Sequence, residues 1–166
     1  GQGDGTNGSD AVSATPFGAD LAVTQFAVSW LDAVDIAKKQ FEGSVTEVEL
    51  DWNINRYAYK IELVSATEEF EVLIDADTGE RSNENTERID AEDLVTKQSE
   101  VIDLDQIVPW EDAHAAALAA QAGSVDEWNL EGRAEGPQYQ FDIVDASGND
   151  FDVILDAMTG KVVRVE

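Results

Sequence analysis

The sequence contains no cysteine and few positive charges, and each shortage excludes classes of function. Without cysteine there can be no disulfide, no thiolate nucleophile and no thiolate metal site. Lysine and arginine together number 10 against 36 aspartate and glutamate residues, which gives a net charge of −26 at pH 7. Nucleic acid and anionic membrane surfaces both attract clustered Lys and Arg, so this charge balance speaks against both as partners.

Long apolar runs and histidine are also scarce. No stretch of 18 apolar residues occurs, so we predict no transmembrane segment in this chain. The one histidine, His114, has no cysteine or second histidine as a partner, and we interpret it as a packed or rim residue of a helix. Carboxylate pairs are too numerous to indicate acid–base catalysis. We therefore predict no catalytic residues, no metal site, no cofactor and no enzymatic activity.

What the chain does have is an internal repeat. The segment FEVLIDADTGE at residues 70–80 returns as FDVILDAMTGK at 151–161. Before this segment, Trp30 and Trp110 are separated by 80 positions, and so are Tyr59 and Tyr139. The segment itself returns after 81 positions, so the second copy has one residue inserted between the strand of Tyr139 and the strand that begins at Phe151. A repeat fixes the architecture ahead of any local assignment. Because a unit of about fifty residues buries little surface alone, we expect the two copies to share a sheet or an interface.

The repeat divides the chain into four segments. Residues 1–20 are rich in Gly, Ser, Thr and Asp and are predicted to be a flexible linker. The first repeat spans 21–90, a connector spans 91–106, and the second repeat spans 107–166. The sequence begins at glycine rather than methionine, and a polar tether before a folded unit is typical of bacterial surface lipoproteins. We expect an extracellular or cell-surface location, with a lipid anchor upstream of this fragment.

Apolar periodicity predicts an α+β fold in which each repeat has one helix packed on an antiparallel sheet of three to four strands, separate or joined into one curved sheet. The first helix begins after Ser29 and ends at Gly43, and Leu21–Val28 is either a short strand or an extension of that helix. Trp52 and Trp128 share the parity of neighbouring leucines and are predicted to pack in the core. The remaining predicted elements are strands over 48–52, 57–64 and 70–75, an edge strand over 81–90, a short helix over 91–98, a helix over 110–122, and strands over 125–132, 137–145, 150–156 and 161–165, with Val101, Leu104 and Ile107 as anchors of the connector.

Each repeat closes its third strand with the same turn. Asp75, Asp77 and Gly79 resemble the start of a calcium loop, but the glycine is at the fifth place and no glutamate follows at the twelfth. We favour a strand-ending turn in which the aspartate accepts backbone N–H bonds and the glycine supplies a positive φ. The predicted structural turn residues are Asp75, Thr78 and Gly79 in the first repeat, and Asp156, Thr159 and Gly160 in the second.

The sheet face opposite the helices is the candidate binding surface. It is either a solvated face or an acidic binding surface with an aliphatic centre formed by Leu73 and Ile154. On the second interpretation, charge would set the association rate and the apolar patch would supply affinity. The predicted residues of this face are Glu49, Asp51, Lys60, Glu62, Glu71, Leu73, Glu131, Gln140, Asp142, Asp152 and Ile154.

The order of helix, three strands, Asp-Ala-x-Thr-Gly and a short strand resembles the PepSY domain. The residues that carry the resemblance are Ala33, Ala37, Gly43, Tyr59, Val72, Asp75, Ala76, Thr78 and Gly79, and then Ala113, Ala117, Gly123, Tyr139, Val153, Asp156, Ala157, Thr159 and Gly160. The tandem arrangement is also similar in architecture to the β-lactamase inhibitory protein fold. Fold alone does not establish function.

The resemblance implies a non-enzymatic module that binds and restrains an exported peptidase. The chain has no H-E-x-x-H zinc motif of its own, so such restraint would act on a separate protein. We therefore expect an exported peptidase or another cell-surface protein as the partner. The alternative is a structural or sensory surface module that binds cell-wall components or cations.

Overall fold

A computed structural model describes residues 13–166 and places all eight of its strands in one antiparallel sheet with the order β4-β3-β2-β1-β5-β6-β7-β8. The two repeats share this sheet, because β1 and β5 pair at its centre with Glu47 opposite Glu131 and Leu50 opposite Trp128. The elements are α1 (Trp30–Gln40), β1 (Ser44–Asn53), β2 (Arg56–Val64), β3 (Glu68–Asp75), β4 (Arg81–Arg88), α2 (Ala91–Ser99), α3 (Trp110–Ala120), β5 (Ser124–Glu131), β6 (Gln138–Val144), β7 (Asp150–Asp156) and β8 (Val162–Val165).

The long helices α1 and α3 cover the same face of the sheet, one over each repeat. Helix α1 begins where Ser29 Oγ accepts from the backbone N–H of Asp32 at 3.1 Å, and α3 begins after Pro109. Small residues let both helices approach the strands closely, since Ala33, Ala37, Ala113 and Ala117 are fully buried. The predicted helices and the α+β class are confirmed, and so is the edge strand predicted over 81–90, which the structure has at Arg81–Arg88.

The segment that leads into α1 corrects one prediction. Leu21–Val28 is neither a strand nor a helical extension but a series of turns, in which Asp20 accepts from the N–H and hydroxyl of Thr24. The segment ends where Val28 donates to the carbonyl oxygen of Ala76 at 3.1 Å, and the buried Tyr59 hydroxyl donates to Val28 at 2.7 Å. Side-chain and turn hydrogen bonds satisfy backbone N–H and C=O groups of this segment without a β-ladder or a helix.

The predicted linker of residues 1–20 also differs from the structure over its last part. Residues 1–12 lie outside the described residues. Thr15 donates to both carboxylate oxygens of Asp77, through its N–H at 2.9 Å and its hydroxyl at 2.7 Å. The hydroxyl of Tyr57 accepts from Gly18 at 3.1 Å and Ala19 at 3.0 Å. These bonds satisfy two buried polar side chains, which explains why a segment of linker-like composition is attached to the fold.

The connector crosses the end of the sheet. Its helix α2 has no buried residue and is attached by side chains, with Lys97 beside Glu69 at 3.6 Å and Gln98 Nε2 donating to the carbonyl oxygen of Ser65 at 2.8 Å. After α2, Ile102 enters the core at 4% exposure, whereas the predicted anchor Val101 is only half-buried. The other two predicted anchors, Leu104 and Ile107, pack against the core as expected.

Both tryptophans predicted for the core pack there, Trp128 completely buried and Trp52 partly. Trp128 is 2% exposed. Trp52 is half-buried at the end of β1, where its ring lies 5.2 Å from Phe17 and 5.0 Å from Tyr57. His114 is half-buried on α3 and stacks on Trp110 at 4.4 Å, in agreement with the packed or rim position that the sequence predicts.

Candidate functional site

Strand alternation gives the sheet two chemically different faces. In β2, the side chains of Tyr59 and Ile61 are buried under the helices, while Lys60 and Glu62 point to the opposite side. The buried residues of α1 and α3 pack on the helix side, and we call the opposite side the open face. Helix α2 borders the open face, where Lys97 lies 3.6 Å from Glu69 and lines a pocket with Glu47 and Glu62. The predicted site residues lie on the open face.

Carboxylates line up across the strands of the open face. Glu62 of β2 is directly opposite Glu71 of β3 on one side and Glu47 of β1 on the other, and Glu47 is in turn opposite Glu131 of β5. We call Glu71, Glu62, Glu47 and Glu131 the first acidic row. Like charges in directly opposite positions destabilise a sheet, so four in succession carry an energetic cost.

The second repeat has an equivalent row. Glu127 of β5 is opposite Asp142 of β6, and Asp142 is opposite Asp152 of β7. These three residues, which we call the second acidic row, are the repeat counterparts of Glu47, Glu62 and Glu71. The arrangement is thus present in both copies of the unit at the same strand positions.

The two rows differ in the cations beside them, since the first row has Arg133 4.0 Å from Glu131 at its end and Lys60 at its centre. Lys60 lies within the first row's reach, with Nζ at 3.8 Å from Glu47, 4.0 Å from Glu49 and 3.6 Å from Glu62. Burial lowers the pKa of Lys60, but the surrounding carboxylates, Glu47 first, outweigh burial and raise it. In the second repeat Gln140 takes the place of Lys60, and its amide donates to Asp142 at 3.2 Å. The second row therefore has no cation at the equivalent position.

Proton affinities reflect this crowding. Burial, and then repulsion by Glu62, raises the pKa of Glu47 to about 8. Burial, and then a hydrogen bond with Asp142, raises the pKa of Glu127 to about 8. A hydrogen bond with the same Asp142, followed by burial, raises the pKa of Asp152 to about 6. Burial also raises the pKa values of Glu49 and Asp51. Glu47 and Glu127 therefore hold protons at neutral pH and release them as the pH rises through about 8.

The predicted aliphatic centre of the face does not form. Leu73 and Ile154 belong to one cross-strand row, but Lys60, Glu49, Asn129 and Gln140 separate them, so they lie toward opposite edges of the sheet. Ile154 is also only 2% exposed, and it is paired with Arg164 of the edge strand β8. The face therefore offers a polar centre, and the prediction of an aliphatic one is wrong because it used strand parity without the order of the strands.

The structural turns have the geometry that the sequence predicts. Asp75 Oδ1 accepts from the N–H groups of Asp77 at 2.8 Å and Thr78 at 3.0 Å, and Gly79 has a φ of 81°. In the second repeat Asp156 Oδ1 accepts from Met158 at 2.7 Å and Thr159 at 3.2 Å, and Gly160 has a φ of 77°. These aspartates are occupied by their own turns.

Sequence reasoning did not assign Glu47 and Glu127 to the binding surface. Both strands contain a bulge just before these residues, between Val45 and Glu47 and between Val125 and Glu127, which interrupts the simple alternation. A signal was available, because the two glutamates occupy the same position of the repeat. Aligned carboxylates on neighbouring strands of both copies would have indicated the rows.

A second concave feature lies on the helix side, between the start of α1 and the start of α3. Trp30 and Trp110, the first residues of the two helices, both pack against Trp128, at ring-centroid distances of 6.0 Å and 5.7 Å. The cleft between them has a volume of about 610 Å³. We call it the aromatic cleft, and its walls also include Leu21–Phe26, Tyr59, Glu111 and His114.

Residues 13–166 hold neither a metal-binding cluster nor a membrane-spanning helix. No group of three or more His, Cys, Asp or Glu side chains has a spacing suited to a metal ion in this part of the chain. None of the helices described is long and apolar enough to cross a membrane.

Comparison with known proteins supplies two matches. The family model for the PepSY domain, described as "Peptidase propeptide and YPEB domain", matches residues 31–80 and 107–166. A crystal structure described as a putative lipoprotein from Clostridium difficile 630 superposes with a TM-score of 0.78 at 30% sequence identity, covering 89% of this chain and 97% of that one. No curated protein sequence matches this chain significantly.

Proposed function

The chain belongs to the PepSY family, and from that premise we propose that it is a non-enzymatic binding module that works outside the cytoplasm and holds a basic surface of an exported protein against its open face. The single observation that carries the proposal is the pair of acidic rows. Carboxylates stand opposite one another on three neighbouring strands in each repeat, at the same positions of the unit.

The energetics of the rows support a binding role. Directly opposed like charges weaken a sheet, and burial of part of each carboxylate adds to the cost. A partner that brings Lys or Arg side chains would relieve both the repulsion and the raised pKa values of Glu47 and Glu127. Residues that are unfavourable for the isolated fold yet occur in both copies are typical of functional surfaces.

We propose an exported peptidase as the partner. The family description names peptidase propeptides, which supports a peptidase as the partner. The likeness to a protein described as a putative lipoprotein supports a position at the cell surface, where such a peptidase would be met. Charge would steer the encounter, so binding should weaken as salt is added.

The test is a progress curve of a secreted thermolysin-type metallopeptidase with increasing amounts of this protein. Saturable inhibition, with the inhibitor recovered intact, is the expected result. The double variant Glu62→Gln, Asp142→Asn removes the central carboxylate of each row and should weaken inhibition. The matched control Glu42→Gln, Asp105→Asn makes the same change of net charge at two exposed positions outside the rows and should leave inhibition unchanged. Inhibition that responds equally to both double variants would contradict the assignment to the open face.

A further inference from the structure

The aromatic cleft lies on the opposite side of the sheet from the acidic rows and is independent of the proposed function. Its floor is Trp128, which is 2% exposed, and its two walls are the half-buried indoles of Trp30 and Trp110. The turns of Leu21–Phe26 close one side. Its volume of about 610 Å³ falls in the range of roughly 300–1,000 Å³ that is common for small-molecule sites.

The charges around the cleft favour a cation. Aromatic rings present a negative electrostatic face, and tryptophan does so most strongly. Among the described residues that line the cleft, Glu111 is the one carboxylate, and there is no lysine or arginine. The half-buried indoles of Trp30 and Trp110, above the buried Trp128 and beside one carboxylate, form a surface that attracts an organic cation.

The hydrogen-bonding groups of the cleft narrow the type of cation. The hydroxyls of Thr24 and Tyr59 donate to the backbone carbonyl oxygens of Asp20 and Val28, and Ser29 Oγ accepts from the N–H of Asp32. Two polar atoms of the cleft, Trp110 Nε1 and His114 Nδ1, are buried and have no hydrogen-bond partner among the described residues. These groups do not supply three convergent acceptors. A primary ammonium group would bring three N–H donors that lose water when they enter the cleft. A quaternary ammonium group has no N–H donor, so its desolvation requires no new acceptor.

We propose that the aromatic cleft binds a small quaternary ammonium compound, with its methylated head between Trp30 and Trp110 above the floor formed by Trp128, and its charge near Glu111. The apolar methyl groups contact the rings, and the positive charge that they share interacts with the ring faces and the carboxylate. The cleft thereby becomes a second binding site, on the helix side of the fold.

The test follows the indole N–H signals of the four tryptophans by NMR while choline or tetramethylammonium is added to the full chain. The signals of Trp30, Trp110 and Trp128 should shift together and saturate. The signal of Trp52 should stay in place, because that ring packs against Phe17 and Tyr57 at a different location. The neutral isostere of choline, 3,3-dimethylbutan-1-ol, should bind about 2- to 30-fold more weakly, which is the range that a cation–π interaction provides.

Two variants separate the cation site from a general apolar cleft. Glu111→Gln should weaken choline binding by several-fold and leave the neutral alcohol unaffected. Its matched control is Asp112→Asn, the neighbouring exposed residue in the same turn of α3, which should change neither. Because Glu111 is exposed, the variant should fold, and the NMR spectrum verifies that it does. Equal binding of choline and the alcohol, a response confined to Trp52, or no saturation by 100 mM choline would overturn the proposal.

Discussion

The backbone N–H of Ile102 donates to the carbonyl oxygen of Val45 at 2.8 Å, and this bond joins the segment before α3 to the first strand of the other repeat. The repeat counterpart is the bond from Leu21 to Val125 at 2.9 Å, which joins the segment before α1 to β5. Each helix is therefore reached through a segment that is paired with the opposite copy. The two repeats are interlocked on both sides of the β1–β5 seam, so neither is an independent domain.

The interlock predicts a large effect from a single connector residue. Ile102→Ala should lower the free energy of unfolding by about 2–4 kcal/mol, because Ile102 is 4% exposed and packs in the shared core. Urea denaturation should show one transition for the whole protein rather than two. Val95→Ala on the surface of α2, where Val95 is 72% exposed, is the control and should change stability little. Two separate transitions in the wild type would show that the repeats fold independently.

The strand-ending turn predicts a penalty for a side chain at Gly160. Its φ of 77° is a left-handed conformation, and a Cβ there would meet Val108 at an ordinary contact distance of 3.6 Å. Gly160→Ala should therefore cost about 1–2 kcal/mol through backbone strain alone. Gly160→Asn should cost less, since asparagine tolerates the left-handed region. Thermal unfolding of both variants checks the order, and an alanine variant as stable as the wild type would contradict it.

The acidic rows predict stability that rises as the pH falls. The pKa of Glu47 and of Glu127 is about 8 in the folded protein against 4.5 for a free glutamate, so the folded state binds protons more tightly than the unfolded state. Their contribution is complete below about pH 4.5 and is lost as the pH rises through 8. The melting temperature should increase between pH 9 and pH 5. Glu127→Gln should raise stability at pH 9 by about 1 kcal/mol, a value reduced for solvent exposure, and should flatten the profile. A melting temperature that falls on acidification over this range would contradict the pKa assignment.

The first repeat has Lys60 where the second has Gln140, which predicts that a lysine at position 140 will stabilise the second acidic row. Gln140→Lys places an ammonium group beside Asp142, as Lys60 stands beside Glu62 in the first repeat. It should stabilise the protein at pH 8 by about 0.5–1 kcal/mol in low salt, and 1 M salt should remove most of the gain. Gln25→Lys, at an exposed position on the helix side of the sheet, makes the same change of charge away from the acidic rows and is a control that should gain less. An equal gain from both would show that only net charge matters.

The sequence was sufficient to predict the repeat, the helices and nearly all strands, because the apolar periods in each copy are regular and the second copy tests the first. It was not sufficient for Leu21–Val28, where the Asp20 carbonyl oxygen accepts from Thr24 and the Tyr59 hydroxyl donates to Val28, which holds an apolar segment in an irregular path. Nor did composition reveal that Thr15 and Ala19 are attached to Asp77 and Tyr57. Such contacts connect residues that are about 40 to 60 positions apart, and no local pattern encodes them.

Strand alternation predicted which residues lie on the open face, but it did not predict which of them are neighbours there. Alternation correctly placed Lys60, Glu62 and Asp142 opposite the helices. It could not show that β1 pairs with β5, and this pairing puts Leu73 and Ile154 toward opposite edges and brings Glu131 beside Glu47. The strand order determines which side chains share a surface, so the acidic rows emerge only from the register of the whole sheet.

The most direct measurement of the central proposal is the dissociation constant of a secreted thermolysin-type peptidase for the wild type, for Glu62→Gln, Asp142→Asn, and for the control Glu42→Gln, Asp105→Asn, each at 50 mM and 300 mM salt. The open face predicts that the row variant binds at least tenfold more weakly at low salt, that the control matches the wild type, and that higher salt narrows the difference. Equal affinity for all three proteins would show that the acidic rows are not the binding surface.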